Sequence, residues 1–257
     1  MEKLINDWKV FVEQDQILIH PGHYIPSHAT IKFELSDPEG DDTGTGSYTY
    51  PTNKDFKQGM CDIRNFKILE TKDTFYFIVK MKTIADPVYN PGSDESISNC
   101  IYIGLDRGIY NSSMLQPSYA GMKFINPEGF DLLFMLGRGI AIKNGVRKLI
   151  YESEPLVKIR DLQTGKYWFS IPKSFIGTSE DEWTVFCGSG LQSDYGLHLT
   201  SPQPLNMDQV PTEYRGGNGS VENGLPRFYD MLLPDSLDQQ KIFQNSMAPL
   251  IRIKEYQ

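Results

Sequence analysis

The stretch "DTFYFIVKMKT", Asp73–Thr83, decides the fold class. Phe75, Phe77, Val79 and Met81 recur at every second position, and Tyr76, Ile78 and Lys80 fill the positions between. Successive side chains of a strand point to opposite faces, so this alternation predicts a half-buried β-strand; a helix would need the apolar residues three and four apart. The pattern recurs along the chain. "NCIYIGLD" puts Ile101, Ile103 and Leu105 together, "GFDLLFMLGRGIAIK" reads as two short strands broken at glycine, and "EPLVKIRDLQTGKYWFSIPKSF" as two strands about the turn "LQTG". "EWTVFCGSG" and the terminal "PLIRIKEY" complete the strands. Only "SLDQQKIFQNS", Ser236–Ser246, predicts a helix, with Ser236 as N-cap and Leu237, Ile242 and Phe243 on one face.

Strands separated by Gly, Pro, Asn and Asp loops argue for an antiparallel β-sandwich rather than βαβ units. The expected architecture is all-β, with long loops and one short helix near the C-terminus. At 257 residues the chain suits a single domain over residues 31–257. Residues 1–30 form an N-terminal extension that would add a hairpin packed on the sandwich. Segment 190–235, rich in Gly, Pro, Asn and Ser, is unusually long for an irregular excursion, and such loops are usually functional.

Composition excludes several classes. Lys and Arg total 25 against 33 Asp and Glu, for a net charge of −8, whereas phosphate-backbone binding needs a basic face; nucleic acid is not an expected partner. No apolar run approaches the roughly 20 residues that span a bilayer. The first residues, "MEKLINDWKVFVEQDQ", lack the n-region, h-region and cleavage site of a secretory signal. Cys61, Cys100 and Cys187 form no CxxC and read as buried thiols, with one disulfide as the alternative. His20, His23, His28 and His198 show no HExxH spacing, and "GSGLQSDYG" around Ser189 lacks the order of a nucleophile elbow.

The chemistry concentrates in "SDPEGDDTGTGSYTYPT", Ser36–Thr52. Asp37, Glu39, Asp41 and Asp42 are hard oxygen ligands, and Gly40, Gly44 and Gly46 let the backbone turn among them. The spacing is not that of an EF-hand. An acidic glycine-rich loop is as readily a solvated turn, so calcium requires a ligand from elsewhere, and Asp62 in "CDIRNF" is the best placed. Alternation in "SYTYPT" puts Tyr48 and Tyr50 on one face, where both can cover the core. Among the loop aromatics Tyr89 is a candidate sugar contact, since an exposed ring stacks on a sugar's C–H face. Trp168 and Trp183 are further ligand-binding candidates, although their strand-like contexts favour the core.

These pieces, in this order, resemble the glucodextranase C-terminal domain family. The resemblance rests on D-x-x-G-D-D-x-G-x-G-x-Y-x-Y-P-T from Asp37 to Thr52, "NCIYIGLD" ending at Asp106, "FSIPKSFIG", and "YRGGNGSVENGLPRFYDMLLP" with its Asp-hydrophobic-Leu-x-Pro ending. It covers about Ile31 to Phe243. The resemblance implies a DOMON-like sandwich, akin to family 9 carbohydrate-binding modules and carried on secreted or cell-surface polysaccharide-degrading enzymes. It implies calcium at the sandwich edge, with Asp37, Asp41, Asp42 and Asp62 as ligands and Asp106 as a further candidate. The expected function is a non-catalytic, calcium-stabilised module that binds polysaccharide or a cell-surface glycan, in an extracellular or cell-surface setting. The alternative is a structural or protein-assembly accessory subunit, and third comes a glycoside hydrolase, for which no catalytic motif is present.

Overall fold

The computed structural model describes residues 25–84, 97–108, 123–124, 130–136, 140–144, 149–153, 160–177, 182–193, 208–219 and 226–256. Most of the expected N-terminal extension, and Tyr89, fall outside them. One sheet is formed by β1 (Thr30–Ser36), β2 (Ile63–Glu70), β3 (Thr74–Met81), β9 (Arg160–Asp161) and β10 (Lys166–Pro172), in the order β1-β2-β3-β10-β9. The other contains β4 (Ile97–Asp106), β6 (Leu132–Leu136), β7 (Ile140–Asn144), β8 (Leu149–Ser153), β11 (Thr184–Ser193) and β12 (Asp230–Met231), in the order β12-β11-β4-β6-β7-β8, with β14 (Ile251–Arg252) also on β11, while β5 (Lys123–Phe124) and β13 (Met247–Ala248) pair in parallel as a separate two-stranded sheet. Every pairing in both sheets is antiparallel. The fold is all-β, and among the described residues neither sheet closes into a barrel.

The alternation read from Asp73–Thr83 is the alternation observed. Phe75, Phe77, Val79 and Met81 enter the core between the sheets, where they meet Ile101, Ile103 and Leu105 of β4 and Phe134 of β6. The Phe77 ring stacks on Phe169 at 5.1 Å and lies 5.4 Å from Phe134, so this one side chain joins both sheets. Tyr76 and Ile78 point the other way, into a smaller cluster with Leu69 and Trp168, so the strand expected to be half-buried is covered on both faces. The second sheet is also apolar on its outer face. Cys100, Tyr102, Leu133 and Met135 pack there against Phe228, Leu233 and Phe243, so the segment 226–250 acts as a third layer on that face.

Two local expectations are corrected. The helix near the C-terminus, α2 (Gln239–Asn245), is capped by Asp238, whose carboxylate accepts the Lys241 N–H at 3.1 Å, and not by Ser236. A turn closed from Leu237 N to Pro234 O occupies the preceding residues and leaves Leu237 exposed. The terminal "PLIRIKEY" is a strand only at β14; the Ile253 N–H then donates to Trp183 O, and Ile253–Tyr256 closes as a 3-10 turn. A one-turn helix, α1 (Lys173–Ile176), follows β10.

Candidate metal centre at the sandwich edge

Three chain segments converge where β1, β2 and β12 end or begin. β1 runs out at Ser36 directly into Asp37, β2 starts one residue after Asp62, and β12 opens on Asp230. The connection between β1 and β2 is a wide loop that folds over the edge and is held by backbone bonds to segment 208–219. Thr49 and Gly217 exchange N–H···O bonds at 3.1 and 3.0 Å, and Thr52 N donates to Thr212 O at 2.9 Å. Gly44 shows why glycine is required in this loop: its φ is +56°, and an added Cβ would lie 2.1 Å from the Tyr48 ring.

Within this edge, carboxylate oxygens of Asp37, Asp41 and Asp230 all lie within 4.8 Å of one another. Asp37 and Asp230 are buried and Asp41 half-buried. Backbone donors hold two of them in place. The Leu233 N–H donates to Asp37 Oδ1 at 2.8 Å, and Asp230 accepts from Ile63 N at 2.6 Å and Met231 N at 2.7 Å. The cluster therefore pins the start of β2, in the first sheet, to the β12 edge of the second. Gln239 adds a tie, donating from Nε2 to Asp41 O at 2.7 Å and accepting from Met231 N at 3.1 Å.

Asp37 Oδ2 and Asp41 Oδ1 are buried and have no hydrogen-bond partner. A buried acceptor with nothing to accept costs about 1–3 kcal/mol, more if charged, and two side by side in one cluster of acids compound that cost. The same burial disfavours their charged forms. Burial, and with it the nearby Asp41 charge, pushes Asp37 up to about 8 against the opposing Leu233 N–H. Burial and the charges of Asp62 and Asp42 push Asp41 up to about 6, and burial with the charges of Asp37 and Asp41 raises Asp230 well above the carboxylate range. A cation would relieve all of this, and the donor set, carboxylate oxygens with no sulfur or imidazole, is of the type that suits a hard ion such as calcium.

The other sequence candidates lie elsewhere or do other work. Asp42 is buried and accepts the Tyr50 hydroxyl, whose oxygen in turn accepts the Cys61 N–H at 2.9 Å. Asp62 is fully buried and accepts from Gly40 N at 2.9 Å and from Arg64 Nη1 at 3.4 Å, with Lys82 Nζ 3.9 Å away. Both stand close enough to raise Asp41 but outside the group of three. Asp106 closes a turn by accepting the Gly108 N–H at 2.9 Å. Trp183 is 1% exposed in the core, its ring 5.0 Å from Phe75, and Trp168 is 6% exposed. Neither tryptophan presents a ring to solvent. Tyr48 and Tyr50 are buried together with Tyr229. Ser189 is fully buried, its hydroxyl donating to Cys61 O, and Cys61, Cys100 and Cys187 are free buried thiols.

Asp230 is the residue that sequence reasoning passed over. It stands in "YDMLLP", inside a quoted motif, but 189 positions after Asp41, and no local spacing joins the two. The signal was the aspartate placed just before a fully apolar run, where an unpaired carboxylate is costly unless something compensates it.

The fold and the motif order agree with a direct comparison. The chain belongs to the family described as the C-terminal binding-module, SLH-like, of glucodextranase, whose family model matches residues 32–249. That family is a binding module and not a catalytic domain. No curated protein matches the chain. Among the described residues no helix is long and apolar enough to cross a membrane.

Proposed function

We propose that this chain is a non-catalytic binding module for polysaccharide or a cell-surface glycan, stabilised by a calcium ion at the edge of its sandwich. The observation that carries the calcium part is the convergence of Asp37, Asp41 and Asp230 with two buried, hydrogen-bond-free oxygens. The family supports the binding part. Asp37, Asp41 and Asp230 would hold the ion, with Asp42 and Asp62 shaping the loop behind them. The ion supplies charge compensation and cross-links the sheet edges; it takes part in no reaction. A surface or extracellular setting fits a module of this kind, with residues 31–257 as one domain and calcium plentiful outside the cell.

Thermal melting with calcium and with a chelator tests the ion. An ion that binds only the folded chain stabilises it by about 2.7 kcal/mol at a hundred times its dissociation constant, which for a domain of this size is a rise of roughly 5–10 °C. Identical melts would remove the metal claim. Incubation with polysaccharides tests the rest: release of reducing sugar would overturn the non-catalytic reading.

A further inference from the structure

We propose that the groove beside the cation cluster, between the end of β1 and the C-terminal 3-10 turn, is where the glycan binds, and that it takes a neutral rather than an acidic sugar. This rests on the carbohydrate-binding reading and adds the place and the chemistry. The groove encloses about 540 Å³, within the range of small-molecule sites. Leu35, Pro38 and Pro234 form apolar walls, and the Tyr256 ring completes them. Tyr256 is half-buried and packs edge-on against Phe33 at 6.0 Å, so the core fixes the ring while part of it stays open. A pyranose offers such a ring its C–H face.

The polar groups of the groove are unspent. Among the described residues the Tyr256 hydroxyl has no hydrogen-bond partner, and the exposed Asp235 carboxylate has neither hydrogen bond nor ion pair. Ser36 accepts from Asn65 Nδ2 at 3.2 Å, which leaves its own proton to donate. Sugar hydroxyls donate well to a carboxylate. Asp37 is taken up by the cation cluster, which leaves the exposed Asp235 carboxylate and no basic side chain facing the groove, so a uronate, sulfate or phosphate finds no cationic partner there and is repelled by Asp235.

Asp37 belongs to both sites. It lines the groove, and its Oδ1 holds the Leu233 N–H, next to the Pro234 and Asp235 that form the opposite wall. A cation on Asp37, Asp41 and Asp230 therefore sets the distance between the two walls. Cation and glycan should each tighten the binding of the other by the same factor.

Isothermal titration of the full chain tests this, with dextran, soluble starch, laminarin and xylan as neutral probes and hyaluronate and chondroitin sulfate, which calcium does not gel, as acidic ones. At least one neutral polysaccharide should bind in saturating calcium, and the acidic ones should not. Asp235→Ala and Tyr256→Ala should weaken that binding by about tenfold or more, and Tyr256→Phe, which keeps the ring and loses only the hydroxyl, should weaken it less than Tyr256→Ala. Asp235 is exposed and without partners, so its variant should melt as the unaltered protein does, which separates lost binding from lost folding. Chelation should weaken the neutral glycan. Neutral binding that is unchanged in both variants overturns the groove and leaves the carbohydrate reading standing. An absence of binding by all six polysaccharides overturns that reading and the groove with it. Tighter binding of an acidic polysaccharide overturns the assignment of a neutral ligand, and binding that ignores chelation overturns the coupling.

Discussion

At the scale of single residues, the acid cluster makes a pH prediction whose sign is set by burial. Asp37 and Asp41 have ordinary values of 3.8; in the cation-free fold they rise to about 8 and about 6, with burial the largest cause. The folded chain then holds more protons than the unfolded chain between those limits, so stability falls as pH rises through that window. The contribution of these groups is complete below the unfolded value and lost once both folded values are passed. Calcium, which needs the ionised carboxylates, should oppose the loss. Melts in chelator should therefore be lower at about pH 8 than at about pH 5, and the gain from calcium larger at the higher pH; equal gains would contradict the ligand assignment. Asp230→Asn should abolish most of that gain. Asp106→Asn, at a turn far from the cluster in sequence, should preserve it.

At the scale of elements, two contacts carry predictable costs. The carboxylate of Asp131 receives the Arg107 N–H at 3.1 Å and the guanidinium Nε at 2.9 Å, while Arg107 Nη1 donates to Ile176 O at 2.6 Å. This pair is buried and ties the end of β4 to the start of β6 and to the last turn of α1. Burial nevertheless raises Asp131, with Arg107 opposing it, so the carboxylate depends on its partner. Arg107→Met should destabilise the chain by about 3–5 kcal/mol in denaturant titration, because it leaves a buried acid without its cation. The α2 cap is a smaller matter. Asp238→Ala should lower the denaturation midpoint only slightly, and a loss as large as that of Arg107→Met would show that Asp238 does more than accept the Lys241 N–H.

At the scale of the whole molecule, the two sheets are joined twice, by the apolar core and by the acid cluster at the edge. Phe77 stands at the centre of the first, between Phe169 of its own sheet and Phe134 of the other. Phe77→Ala should cost about 3–5 kcal/mol in calcium and in chelator alike. The Asp230→Asn variant should instead differ from the unaltered protein mainly in calcium. Denaturant unfolding of both variants under both conditions separates the two joints; a calcium-dependent cost at Phe77 would mean that they are one. The outer layer formed by residues 226–250 brings Asp230 and Leu233 to the edge, so the groove and the acid cluster share a wall supplied by that layer.

The strands were legible in the sequence because side chains of a strand alternate between its faces, and burial imprints that alternation on local composition. Phe75, Phe77 and Val79 announced an inward face at a distance of two residues, and the "LQTG" and glycine breaks announced the turns. Asp37 and Asp41 were legible for the same local reason, as carboxylates gathered in a glycine-rich loop at the end of a strand. What remained for tertiary structure was every relation between distant segments. The site needs Asp230, brought beside Asp37 by the pairing of β11 with β12, and no short-range pattern encodes that meeting. Burial, too, is a property of the assembled layers: it placed Trp183 in the core, gave Asp62 to Gly40 and Arg64, and opened a groove at Tyr256, a residue with no motif around it. The sequence by itself determined which residues alternate and which loop gathers the acids. Only the packed chain decided which of them meet, because a carboxylate's partners and its solvent are set by whatever the fold carries to its side.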